Sequence, residues 1–145
     1  MAGISPATGV WMQLTIKVTI TSTLCALLAG CAFGPFGGDL QSAREACNRA
    51  YPPRIGNYLP HADCVNAAVE RYALPTARHP DLIRLQEEVR SALSDKVDRR
   101  RIGVRDGEHR MAEADRLITA AERDRDAGNN AAAARRVTTV EGMLR

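Results

Sequence analysis

His79-Pro80-Asp81-Leu82-Ile83-Arg84-Leu85-Gln86-Glu87-Glu88-Val89-Arg90-Ser91-Ala92-Leu93-Ser94-Asp95-Lys96-Val97 decides how the carboxy-terminal half of this chain folds. It opens like a helix. Pro80 stands in the first turn, where its missing N–H costs nothing, and Asp81 sets negative charge beside the positive end of the helix dipole. Leu82, Leu85, Val89, Leu93 and Val97 then recur at steps of three and four. Val104, Met111, Ala114, Ile118 and Ala121 continue the stripe. That period is helical and amphipathic. No further proline appears before Gly128, so the pattern predicts one long arm from Pro80 to Ala127, ~70 Å at 1.5 Å per residue. Gly103 and Gly107 are its weak points. They mark either a bend or small contacts that let a neighbour approach. Asp95–Arg99 and Asp106–Arg110 are i,i+4 pairs on its exposed side.

Downstream, Gly128-Asn129-Asn130 is a helix stop followed by a helix cap. Ala133, Val137, Val140 and Leu144 form the inner side of a final helix, about Asn130 to Leu144. So short a connection forces it antiparallel to the arm, where its ~22 Å can cover roughly residues 111–126. The earlier stripe must then find other cover. Leu85, Val89 and Leu93 are expected on the first two helices, with Val97 and Val104 less covered.

Upstream, Asp39 reads as a cap, and Leu40, Ala43, Cys47 and Ala50 recur at helical spacing, so Cys47 faces inward. Tyr51 to Pro60 reads as a loop, because of its prolines and the turn pair Gly56-Asn57. A second helix is expected from about Ala62 to Ala73, with Cys64, Val65, Ala68, Val69 and Tyr72 on its buried side. Leu74-Pro75-Thr76 ends it.

The amino-terminal segment is of another kind. Lys17 is the only charged residue of the first thirty, and the uncharged run Val18 to Ala29 follows it. That is the length of a secretory apolar region and short of the ~20 residues of a spanning helix. It leads into Leu28-Ala29-Gly30-Cys31. This arrangement resembles the lipobox of bacterial lipoprotein precursors. The resemblance implies a diacylglyceryl group on the Cys31 thiol, cleavage just before Cys31, and fatty acylation, such as palmitate, of the new amino terminus. Residues 1–30 would be the signal peptide. Met12 is the better initiator, since Met1 to Trp11 holds no basic residue and Met12 to Lys17 makes a proper start. Residues 31–38, with three glycines and a proline, read as a flexible tether, and residues 39–145 as one domain. In that family an aspartate directly after the lipidated cysteine retains the protein at the inner membrane. Here Ala32 stands there, which implies the outer membrane, facing the periplasm.

Export makes sense of the remaining cysteines. Cys25 leaves with the signal peptide and Cys31 carries lipid, so Cys47 and Cys64 remain as a pair in an oxidising compartment. A bridge between them is worth ~3 kcal/mol by loop entropy. The fold class expected is all-α: a disulfide-bridged short helical hairpin, a long helix, and an antiparallel carboxy-terminal helix.

The chemistry-bearing residues are few. His61, His79 and His109 are isolated from one another in sequence. His61, Asp63 and Cys64 lie close but lack the paired spacing of a metal motif. No phosphate loop or nucleophile elbow is present. We expect no catalytic residues, cofactor, metal or nucleic-acid partner. The excess of Arg over Lys reads as coding bias, and the net charge of +3 is nearly balanced. Leu, Ile, Val and Phe are sparse, near the lower limit for burying a core. The expected function is therefore that of an envelope lipoprotein with a structural or adaptor role. It would meet the membrane through its lipid anchor and a protein partner, or itself, through the long helix. Arg99, Arg100, Arg101 and Arg105 support a second reading: binding of an anionic envelope component such as a lipid headgroup, lipopolysaccharide or peptidoglycan. Asp95, Asp98, Asp106 and Glu108 flank that cluster and are expected to balance most of its charge.

Overall fold

The computed structural model describes residues 39–145, and all regular structure there is helical. The helices are α1 (Leu40–Ala50), α2 (Tyr58–Tyr72), α3 (Pro80–Asp98), α4 (Val104–Asp126) and α5 (Asn130–Gly142), with a 3-10 turn at Leu74–Thr76 between α2 and α3. The expected signal peptide, lipobox and tether, residues 1–38, lie outside the described residues.

The expected long arm is two helices, not one. It breaks after Asp98, and Arg100 adopts the left-handed conformation, φ 56°. The Arg101 N–H reaches back to the Lys96 carbonyl (2.8 Å) and the Arg100 N–H to the Val97 carbonyl (2.9 Å). These are the paired bonds that close a helix when the residue past its end turns left-handed. The same pair closes α4 at Gly128, φ 77°, where Asn129 N–H reaches Asp124 and Gly128 N–H reaches Arg125. Glycine does this without strain at one end, and an arginine does it at the other. Gly103 then caps α4 in extended conformation.

The break turns α4 back along α3, and Gly128 turns α5 back along α4. The three form an antiparallel bundle. Leu82, Leu85, Val89 and Leu93 pack in one core with Ala114, Leu117, Ile118 and Ala121 of α4 and Ala133 and Val140 of α5. Their cover is therefore α4 and α5 rather than the first two helices, and Val97 is only 4% exposed. The single-arm reading missed this because it left α4 pointing away from α3. Gly107 makes the close approach possible: a Cβ there would sit 2.7 Å from Val97 Cγ2. Burying each Leu or Val of this core contributes roughly 1.5–3 kcal/mol.

α1 and α2 form the bridged hairpin. Cys47 and Cys64 are joined, with Cα atoms 5.7 Å apart. Cys47, Val65 and Val69 make a second, small core, against which Leu40 and Ile83 pack. Ile83 lies on the α2-facing side of α3, opposite the leucine stripe. Asp39 caps α1 as expected, accepting from the Ser42 N–H (2.7 Å). α2 begins four residues earlier than the sequence suggested. Pro60 falls in its first turn, where no intrahelical N–H is needed.

Candidate functional site

α2 starts with no side-chain cap of its own. Asp98, at the far end of α3, supplies one. Its Oδ1 accepts from the N–H of Gly56 (2.6 Å) and Tyr58 (3.2 Å), and its Oδ2 from Leu59 (2.8 Å). This carboxylate fixes the α1–α2 loop against the α3–α4 turn, so both features of interest share one end of the molecule.

Two adjoining cavities, about 310 and 330 Å³, open at that end and share Tyr58, His61 and Glu108. Leu93, Val97, Val104 and Met111 give the deeper one an apolar floor, with Arg90 at its edge. Tyr51, Pro53 and Asn57 line the outer one. His61 donates from Nε2 to Asn48 Oδ1 (2.7 Å). Burial, and then the charge of Arg90, hold its imidazole below its usual range, so it is neutral at pH 7. Arg90 is itself held by Asn66 Oδ1. Asn66 Nδ2 donates to Ser91 Oγ (2.9 Å) and to the Glu87 carbonyl (3.2 Å), stitching α2 to α3. The large apolar residues most exposed among those described are Tyr51 (36%) and Ile55 (42%), both on the loop beside this groove.

Arg99, Arg100 and Arg101 form the α3–α4 turn, and Arg105 lies in the first turn of α4. Of these four, only Arg99 forms an ion pair among the described residues, with Asp95 (2.7 Å). Asp98 is committed to the α2 amides, and Asp106 lies 3.6 Å from Arg110. Among the described residues Arg100, Arg101 and Arg105 make no ion pair, and all are exposed. The amide contacts of Asp98 are a long-range role that no local pattern announces.

Among the described residues no three His, Cys, Asp or Glu converge closely enough to hold a metal ion, and no helix is long and apolar enough to cross a membrane. His61 and Cys64 are separately engaged, one with Asn48 and the other in the disulfide. His79 sits at the opposite end, 3.1 Å from Asp126. Sequence reasoning missed Asp98, Tyr58 and Glu87. The first two lay in stretches read as helix interior and loop, and the third looked like an exposed helix position. The groove, the loop above it and the arginine turn beside it are the candidate site, and no protein-family model, curated protein or solved structure matches this chain.

Proposed function

We propose that this chain is a lipid-anchored envelope protein, held through Cys31 at the outer membrane and facing the periplasm, that serves as a non-enzymatic adaptor. The observation that carries the adaptor reading is where apolar surface remains. The leucine stripe, expected to meet a partner or a second copy, is covered within the chain. Tyr51 is left out along the outer part of the groove, and Ile55 is exposed on the same loop. Exposed aromatic and aliphatic residues gathered beside a concave surface favour a protein partner.

The geometry of entry supports the same reading. Asn48 meets His61 while Cys47 meets Cys64, so α1 runs antiparallel to α2. The chain therefore enters α1 near the carboxy-terminal end of α2, away from the groove. Asp39 and the candidate site therefore lie toward opposite ends of α2.

A photo-crosslinking residue at Tyr51 or Ile55, in intact envelopes, should capture a discrete protein that the same probe at exposed Thr138 does not. Equal labelling at all three positions sinks the adaptor surface. Fatty-acid labelling tests the anchor separately: it should mark the wild type and not Cys31→Ser.

A second reading rests on Arg100, Arg101 and Arg105, which lack acidic partners among the described residues. They suit an anionic envelope component. Such binding should fall steeply as salt shortens the Debye length from about 10 Å at 0.1 M, and should vanish when the three are replaced by alanine. Capture through Tyr51 should survive both changes.

A further inference from the structure

A different cavity, about 500 Å³, lies between α2 and α3 on the side away from the leucine core. Asn66 and Glu70 of α2 and Arg84, Glu87, Glu88 and Ser91 of α3 line it. Glu87 is only 8% exposed, and its Oε1 has no hydrogen-bond partner. An unpaired buried carboxylate is costly and is normally matched by a cation or by donors. The groups nearby do not match it. Arg90 is held by Asn66, and the Asn66 amide donors go to Ser91 and a backbone carbonyl. Glu70 and Glu88 add like charge, and Arg84 is exposed, with no ion pair among the described residues.

We propose that this cavity is a binding site for an organic cation bearing N–H donors, an alkylguanidinium or alkylammonium group, with Glu87 as its buried anchor and Glu70 and Glu88 at its mouth. The carboxylates do not converge as metal ligands do. Their spread along two helices suits an extended cation that offers several donors instead of a point charge. Guanidinium is the better match, because its planar fork carries several N–H donors in fixed directions, enough to meet Glu87 and a second carboxylate at the mouth. Burial first, and then Glu70, push the Glu87 carboxyl above its usual range, against the opposing charges of Arg90 and Arg84. A bound cation would pull it back and keep it ionised.

The probes are agmatine, for a free small cation, and an acetylated arginine amide, for a polypeptide side chain. Each is titrated into the full chain in detergent and followed by amide NMR. Saturable shifts at the Asn66 side-chain amide and the Glu70 and Glu88 backbone are expected. Glu87→Gln should weaken binding about tenfold or more, as loss of one buried charge-assisted contact does. Glu70→Gln should weaken it less. Glu87→Gln removes a buried charge, so it should fold at least as well as the wild type. Tetramethylammonium, which carries charge but no N–H donor, should give no localised shift. Preference for agmatine or for the arginine amide assigns the source. The proposal is overturned if neither probe shifts these positions, if Glu87→Gln binds as tightly as the wild type, or if tetramethylammonium binds equally well.

Discussion

Arg100→Gly should stabilise this protein, although it deletes a charged side chain and adds a flexible residue. Arg100 holds φ 56° at the end of α3. For an L-residue that conformation costs roughly 1–2 kcal/mol. Glycine removes the cost and raises the entropy of the unfolded chain, a penalty of about 0.4–1 kcal/mol. Arg100 forms no ion pair among the described residues, so little else is lost. The net gain is about 0.5–1 kcal/mol, or roughly 2–6 °C in Tm for a domain of this size. Thermal and urea melts followed by circular dichroism, with the disulfide intact, would measure it. Arg101→Gly is the control: it has the same charge change in the same turn, but its residue is not left-handed. It should be neutral or destabilising by up to ~1 kcal/mol. If both variants lose stability alike, then Arg100 is held by contacts and not strained by its backbone, and the reasoning about the α3–α4 break fails.

Asp98→Ala should cost about 1–2 kcal/mol, because three amides at the start of α2 lose their acceptor. Hydrogen exchange at Tyr58 and Leu59 should rise first. Gly107→Ala should destabilise by about 1 kcal/mol despite its better helix propensity, since the new methyl meets Val97. Val97→Ala in the same chain should recover part of the loss, a coupling that a double-mutant cycle would read. The pH dependence has two opposed contributions. The His61 pKa is lowered in the folded state, so as pH falls through 6.5 the unfolded chain gains a proton first and stability declines. The Glu87 pKa is raised, so its contribution is fully present below 4.5 and is lost as pH rises through the folded value. Glu87→Gln should therefore gain stability at pH 7 relative to pH 4, and melts at both values check the sign.

The helical class and the buried stripe could be read from spacing, because a period of three and four residues reports directly on one face of a helix. Leu82, Leu85, Val89, Leu93 and Val97 all prove buried. The disulfide was expected from the cysteine count together with the expectation of export, and Cys47 and Cys64 are joined. The bend was less legible. Left-handed backbone is usually announced by glycine, and the glycines here come three and seven residues after the arginine that turns. Gly103 and Gly107 mark instead the cap of α4 and its close approach to Val97. Once that turn is missed, the cover of the leucine stripe is assigned to the wrong helices. Asp98 and Glu87 were hidden for a related reason. Each looks like an ordinary charged helix residue until α2 is laid against α3. Ile83, four residues before Glu87, was the one local sign that this face of α3 is also covered.

The Cys47–Cys64 bond has a mechanical consequence. Any pull entering from the amino-terminal side reaches α1 first, and α1 rests on the rest of the fold through α2. With the bond closed, tension passes at Cys47 straight into α2 and the bundle behind it, and the intervening loop carries none. With the bond open, α1 can peel away and the stretch from Cys47 to the start of α2 at Tyr58 takes up the load. At about 3.3 Å per extended residue, reduction would lengthen the connection by roughly 35 Å. The bridge thus sets how far a pull on the amino-terminal side can draw out the chain before the bundle itself bears the load, as well as holding two helices together.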